Sequence, residues 1–338
     1  MKKNIIITGI TGQDGAYLSN FLLKKYNYNI YGIVRRNSSE PFSRLDFLGI
    51  KNSINFVHLD ITEYKQVDSL IKKLKPKMFF NLAAQSFVAY SFDNPTYTDS
   101  VNSASVINIL ESIRISSPHT KFYQASSSEM YGDIKDLNDK KLNENSRFNP
   151  VSPYAISKLS AYFYTRMYRS AYNIFASNGI LFNHESPLRG EQFVTKKIVK
   201  GLINFKKTGN TVYLGNIYSR RDWGDAEEYV EMMYKILALK EPNDFVISTG
   251  KNYSIKEFIN MVCKSINLSI KWVGSGLSEK AINIDKKPIV IIKKTLFRPH
   301  DVTYLLGDCL KAKKLLGWKP KNNLKKLIDK MIKFENEQ

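Results

Sequence analysis

The sequence predicts an α/β chain built on a doubly wound parallel sheet. Three observations carry this. An apolar run breaks into a turn with three glycines spaced three apart. Strand-like and helix-like segments alternate over the first half. The length, 338 residues, suits one large α/β unit or two closely associated domains. The run Ile5-Ile6-Ile7-Thr8 reads as a buried strand, and Leu18, Phe21, Leu22 and Tyr26 recur at helical spacing after the turn. Residues 29–34 and 54–59 read as the second and third strands. Val67, Leu70, Ile71 and Leu74 share one face of a helix that Pro76 stops. Residues 78–82 and 121–125 are the fourth and fifth strands, with a helix through Val106, Ile107, Leu110 and Ile113 between them. From about Asn183 the pattern loosens, punctuated by Pro187, Gly190, Gly201, Gly209 and Gly215. Residues 227–237 read as a helix, and 271–295 show no clear period. Leu324, Leu327, Ile328, Met331 and Ile332 outline an amphipathic tail helix, expected to pack on the chain's own core rather than on a membrane surface.

Composition narrows the chemistry. Hydrophobic residues make up 43% of the chain, which excludes a disordered protein. No apolar run reaches the roughly 18–20 residues of a membrane span. Met1-Lys2-Lys3-Asn4 leads straight into the first strand, so the cytoplasm is the expected location. The two cysteines, Cys263 and Cys309, form no C-x-x-C pair and histidines number four, so no metal site or disulfide framework is expected. Lys and Arg number 51 against 31 Asp and Glu, a net charge of +20. The excess is spread along the chain without a basic stripe interleaved with aromatics. No nucleic-acid or membrane partner is therefore expected, while the field favours a small substrate carrying two phosphates.

The turn Gly9-x-x-Gly12-x-x-Gly15 is a dinucleotide-binding fingerprint: glycine admits a pyrophosphate close to the backbone, and free N–H groups at a helix N-terminus attract its charge. The second strand runs into Val34-Arg35-Arg36-Asn37-Ser38-Ser39, where an acidic residue would bond a ribose 2′-hydroxyl and arginine a 2′-phosphate. Arg35 and Arg36 favour NADP over NAD. Asp60-Ile61, after the third strand, is placed to touch the adenine. Tyr154-Ala155-Ile156-Ser157-Lys158 puts a phenol and an ammonium on one helix face. The ammonium is expected to lower the phenol's pKa, so that phenolate takes a hydroxyl proton as hydride leaves for a nicotinamide.

With these residues in hand, the chain resembles the extended short-chain dehydrogenase/reductases, and within them the GDP-mannose 4,6-dehydratase family. The resemblance runs nearly end to end. It includes the glycine turn, Asn81-Leu82-Ala83-Ala84-Gln85-Ser86, Gln124-Ala125-Ser126-Ser127-Ser128-Glu129-Met130-Tyr131-Gly132 and Asn183-His184-Glu185-Ser186-Pro187-Leu188-Arg189-Gly190. Phe193-Val194-Thr195, Arg221-Asp222-Trp223-Gly224 and Arg298-Pro299 extend it. It implies a Rossmann-type NADP-binding domain over residues 1–182, with returning segments near 211–235 and 300. A smaller, mixed C-terminal domain, mainly 183–338, would bind the GDP-sugar.

The family's roles carry over by position. Tyr154 corresponds to the catalytic base and Lys158 to its partner. Ser127 corresponds to the hydroxyl that bonds the sugar's 4-OH, and Glu129 to the carboxylate that handles the C5 proton and loss of the C6 hydroxyl. Gly9, Thr11, Gly12, Gln13, Asp14, Gly15, Arg35, Arg36, Asp60, Ile61, Leu82, Ala84, Tyr154 and Lys158 fall at cofactor positions. Ser86, Asn183, Glu185, Lys197, Arg221, Arg298 and Asp301 fall at substrate positions. The resemblance also implies a homotetramer or dimer. Phe87 stands where the family has His, His300-Asp301 where it has Thr-Glu, and Asp225 where it has His. These departures keep a GDP-manno-heptose open as the alternative substrate. A 4-epimerase or 4-keto reductase would lack the Glu129 carboxylate, and a cofactor sensor would not need Tyr154, Lys158 and Glu129 together.

Overall fold

The structure is a computed structural model that describes residues 2–36, 41–133 and 141–337. Strands β1 (Lys3–Thr8), β2 (Tyr28–Val34), β3 (Asn55–His58), β4 (Met78–Asn81), β5 (Lys121–Ser127) and β6 (Ala176–Leu181), with the strand Phe245–Ile247, form one seven-stranded sheet. The spatial order is 245–247, β6, β5, β4, β1, β2, β3, and every pairing is parallel. β1 to β3 run outward one way, then the chain returns to lay β4 on the other side of β1. That reversal opens a crevice beyond the carboxyl ends of β1 and β4, the place where such sheets bind ligands.

The sheet is covered on both faces, as the alternation along β1 requires. Ile5 and Ile7 belong to one apolar cluster with Leu18 and Leu22 of the helix Gln13–Lys25 and with Tyr229 and Met233 of the helix Ala226–Ala238. Ile6 belongs to the opposite cluster, with Val67, Ile71, Val106 and Ile109. Each buried apolar side chain of this size contributes about 1.5–3 kcal/mol. The helix that Pro76 was read to stop ends at Leu74, and Lys75 caps it in the left-handed region with φ 41°.

A second unit surrounds a four-stranded mixed sheet in the order Lys271–Val273, Lys280–Ile282, Pro288–Ile292, Val212–Leu214. Helices Val194–Thr208, Ile255–Ser265 and Leu324–Asn336 pack against it. The tail helix buries Leu324, Leu327, Ile328, Met331 and Ile332 in this core. No helix among the described residues is long and apolar enough to cross a membrane. The aperiodic stretch 271–295 holds three strands of three, three and five residues, one with a register shift at Ala281/Ile282. Strands this short give no readable alternation. The segment 211–235 divides: Val212, Leu214, Ile217 and Trp223 join the second core, whereas Ala226 to Leu237 join the first. Ala312, Leu316 and Trp318 also return to the first.

Candidate active site

A cleft of about 990 Å³ opens at the crevice and extends to the second unit. Its floor is the glycine turn. Gly9 has φ +64°, and a Cβ there would sit 2.8 Å from the Ala83 nitrogen; one on Gly15 would sit 2.4 Å from the Gly9 carbonyl oxygen. A larger residue at Gly9 would push the turn away from the chain after β4, and one at Gly15 would push the helix away from the turn itself. Thr8 ties the two strands. Its hydroxyl donates to Asn81 Oδ1 at 2.7 Å and accepts from the Leu82 and Ala83 nitrogens at 3.0 Å each. Gly12 begins the helix Gln13–Lys25 and provides no side-chain cap, so the first-turn N–H groups remain available to an anion. The residues therefore fit a dinucleotide diphosphate: a close-approach turn, uncapped donors and a cleft beside them.

The catalytic-type residues lie further along the same cleft. Ser152 caps the helix Pro153–Tyr172 by accepting from the Ala155 nitrogen at 3.1 Å, which starts the helix one residue before Tyr154. Lys158 follows one turn later and donates to the Ala125 carbonyl oxygen at 2.9 Å. Ser127 ends β5, and its oxygen accepts from the Glu129 nitrogen at 3.2 Å, fixing the short turn that carries Glu129. The π-helical turn Ser100–Ala104 braces this region. Asn102 accepts from the Gln85 nitrogen at 2.8 Å and donates to Ser157 Oγ at 3.1 Å.

Burial dominates the electrostatics. It pushes the Tyr154 phenol up to about 12, against a lowering hydrogen bond from Ser127. It pushes the Lys158 ammonium down to about 8, with Asp14 opposing. The expected depression of the phenol by the lysine is not what the geometry gives. Lys158 Nζ is 5.9 Å from the Tyr154 ring centroid and is held by Ala125, so desolvation of the phenol prevails. A consequence concerns stability. The folded value of Lys158 lies below its unfolded value of 10.5, so the penalty of a buried ammonium is fully present below pH about 8 and fades as pH rises to 10.5. A depression of this size corresponds to about 3 kcal/mol. Lys158→Met is expected to stabilise the fold near neutral pH by up to that amount, less the lost Ala125 bond, and to give no gain above pH 10.5. Denaturant midpoints across that range check it, and a pH-independent difference would refute it.

The far wall comes from the second unit. Arg221 Nη2 lies 3.3 Å from Asp301 Oδ1 and 3.9 Å from Glu129 Oε1. Arg298 Nη1 approaches the same Asp301 oxygen at 3.2 Å, and Ser219 donates to the other at 2.9 Å. Asp301 thus gathers two arginines at the cleft rim. Glu185 is buried and accepts from Thr195 Oγ1 at 2.6 Å, with Arg189 Nε at 3.0 Å. The Arg189 guanidinium lies 3.5 Å over the Phe193 ring, which meets Phe87 edge-on. Burial lowers the pKa of Lys197.

The cleft brings together every site residue read from the sequence except Arg36: Gly9, Thr11, Gly12, Gln13, Asp14, Gly15, Arg35, Asp60, Ile61, Leu82, Ala84, Ser86, Ser127, Glu129, Tyr154, Lys158, Asn183, Glu185, Lys197, Arg221, Arg298 and Asp301 line it. Arg36 is exposed and outside the lining, while Arg35 hydrogen-bonds the Tyr97 hydroxyl. Asn37, Ser38 and Ser39, part of the reading of that strand end, lie outside the described residues. Sequence reasoning passed over Arg44, Asn102, His184 and Arg189. Arg44 donates to the Thr11 and Leu188 carbonyl oxygens at 3.1 and 2.8 Å, joining the turn to the second half. His184 and Arg189 stood within a run already singled out; the Asp14 partner of His184 is 170 positions away, whereas Glu185 and Phe193 lie four residues either side of Arg189.

A family model described as GDP-mannose 4,6 dehydratase matches residues 6–331. The GDP-mannose 4,6-dehydratase of Vibrio cholerae serotype O1 is 42% identical over 356 residues, covering 100% of this chain and 94% of that protein. That of Drosophila melanogaster is 41% identical over 345 residues, covering 99% and 86%. Among solved structures, a UDP-glucose 4-epimerase from Thermotoga maritima with UDP-glucose superimposes with a TM-score of 0.83 at 21% identity, covering 99% of each chain. A dTDP-glucose 4,6-dehydratase from Bacillus anthracis in complex with NAD gives 0.81 at 18% identity, covering 99% and 97%. These structural likenesses establish the shared fold.

Proposed function

The chain belongs to the GDP-mannose 4,6-dehydratase family, and from that premise we propose that it is an NADP-dependent hydro-lyase converting GDP-mannose to GDP-4-keto-6-deoxymannose. The observation that carries the reading is the convergence of Ser127, Glu129, Tyr154 and Lys158 in the cleft that begins at the glycine turn. When bound, the dinucleotide supplies a reversible hydride store, so the reaction has no net redox change. The chain's own residues do the proton work. Ser127 orients the sugar's 4-hydroxyl and Tyr154 takes its proton. The C4 ketone acidifies the proton at C5. Glu129 takes that proton and assists departure of the C6 hydroxyl as water. Lys158, one turn along the helix and bonded to the Ala125 carbonyl, holds positive charge in the same part of the cleft. Arg221 and Arg298 face the sugar's diphosphate, for which their planar forks are suited.

NADP is favoured over NAD by Arg35 at the end of β2, a cation where 2′-hydroxyl recognition would want a carboxylate. The residues surrounding the turn form the cofactor domain, and residues from 183 onward mainly form the substrate domain. The test is incubation with GDP-mannose and either NADP or NAD, followed by mass spectrometry. Loss of one water, faster with NADP, is expected. No loss would overturn the dehydratase reading; equal rates would overturn the cofactor preference; loss only from GDP-manno-heptose would move the substrate.

A homo-oligomer is proposed on a different observation. Ile156, Phe163 and Met167 lie on the helix Pro153–Tyr172 with 55%, 51% and 39% exposure, an apolar strip on the outer side of the catalytic helix. A second copy of the chain would cover it. Phe163→Glu is expected to halve the mass or reduce it further by light scattering, and an unchanged mass would exclude this face.

A further inference from the structure

The glycine turn and the second half of the chain meet at an ionisable pair that the proton chemistry above does not use. Asp14 lies in the first turn of the helix Gln13–Lys25, and His184 on the strand Asn183–Glu185. His184 Nε2 is 2.8 Å from Asp14 Oδ2, and Nδ1 is 2.8 Å from the Phe182 carbonyl oxygen. A carbonyl oxygen only accepts, so Nδ1 carries a proton. A second proton must then lie between Nε2 and the carboxylate, because two bare lone-pair groups would repel at that distance. The pair is therefore neutral as a unit, written either as imidazolium with carboxylate or as imidazole with carboxylic acid. The arrangement is held rigidly. The imidazole stacks on Tyr229 with centroids 4.8 Å apart. Gln13 Nε2 donates to Asp14 Oδ1 at 3.2 Å and to the His184 carbonyl oxygen at 3.1 Å, and Ser186 fixes Gln13 from its other end at 2.6 Å.

We propose that the proton shared by Asp14 and His184 neutralises the carboxylate at the dinucleotide turn and thereby sets the affinity for the cofactor's diphosphate. The inference rests on reading the cleft as a nicotinamide-dinucleotide site. Without that proton, Asp14 would place a full negative charge in the helix turn whose uncapped N–H groups attract phosphate. His184 is a positioning residue here, acting through Asp14. The other groups facing the pair are Arg189, whose cation favours the carboxylate and opposes the imidazolium, and Lys158, Tyr123 and Tyr154, which all feel the Asp14 charge. Burial disfavours the imidazolium, but the Asp14 charge and hydrogen bond, with the Phe182 carbonyl, outweigh it and raise His184 above its ordinary 6.5. The shared proton is thus held to higher pH than an ordinary imidazole holds its own, and cofactor affinity falls where it is lost.

The experiment is titration of the full chain with NADP by calorimetry from about pH 6 to 9.5, for wild type, His184→Gln, Asp14→Asn and the double variant. In wild type the dissociation constant is expected to be flat at low pH and to rise roughly tenfold on the alkaline side. His184→Gln should bind weakly throughout, and the double variant, with no carboxylate to neutralise, should recover tight, pH-independent binding. Carbon-13 imidazole NMR of the cofactor-free chain, with the His184 signal identified by its loss in His184→Gln, should titrate above 6.5. Wild-type affinity in His184→Gln, a His184 titration at or below 6.5, or a pH dependence that survives in the double variant and so belongs to Lys158, would each overturn the proposal. If wild type binds neither NADP nor NAD at any pH, the cofactor reading fails and takes this inference with it; the NMR titration then shows separately whether the pair holds its proton.

Discussion

Tyr154→Phe is expected to lower kcat/KM for loss of water from GDP-mannose by about 10²–10⁴-fold, the usual worth of a positioned acid–base group. The substitution removes one oxygen from a buried ring whose helix is fixed independently by the Ser152 cap, so folding is preserved. The pH profile separates this from a loss of packing. In the wild type, burial raises the phenol to about 12, so only a small fraction is ionised at neutral pH and kcat/KM is expected to climb as pH rises. The climb ends where Lys158, lowered to about 8, gives up its charge. Tyr154→Phe should lose the rising limb. A variant with the same rising limb and only a scaled rate would mean that another group takes the proton.

Glu129→Gln is expected to reduce water loss by a similar factor, about 10²–10⁴, yet to leave oxidation at C4 intact. Glutamine keeps the shape of the side chain and cannot accept the C5 proton. Reduced nicotinamide should therefore accumulate, seen by its near-ultraviolet absorbance, and deuterium from solvent should no longer enter C5. Unchanged water loss would remove Glu129 from the elimination. The neighbourhood supports a selective effect. Glu129 is 9% exposed, its turn is set by Ser127, and Arg221 Nη2 stands 3.9 Å away, so the charge change falls on a group already held in place.

Of the two, Tyr154 is marked by a local signal in the sequence, whereas the expectation for Glu129 comes from the family resemblance. Ser127 ends β5 and Glu129 lies in the turn after it, while Tyr154 and Lys158 are one helical turn apart, a spacing that can be read locally. The sheet was legible through β5 for the same reason. It then became hidden at β6, whose six residues are all buried although Ser177 and Asn178 are polar. Asn178 donates to Asp244 at 2.9 Å and accepts from Ser126 at 3.1 Å, pairings that no periodicity reports. Gly201 misled in another way. It was read as punctuation, yet it lies inside the helix Val194–Thr208, where a Cβ would come within 2.8 Å of Val212. The Asp14–His184 pair escaped because its members are 170 positions apart. The lysine's effect on Tyr154 was overestimated because the spacing of two residues shows their shared face but not their desolvation.

The strand Phe245–Ile247 completes the parallel sheet beside β6, and Trp318 closes the cluster beneath it. The chain that separates these elements from β6 builds much of the other unit. During synthesis the sheet therefore leaves the ribosome with β6 as an open edge. At about 5–20 residues per second that edge stays uncovered for about 3–13 s before the strand at 245–247 emerges. A strand whose Asn178 needs Asp244 as partner, and whose Ser177 accepts from the Asn243 nitrogen, cannot settle until residues 243 and 244 have been made. Nascent chains halted before that point should be held by chaperones and should precipitate when released, whereas chains halted after Trp318 should resist proteolysis.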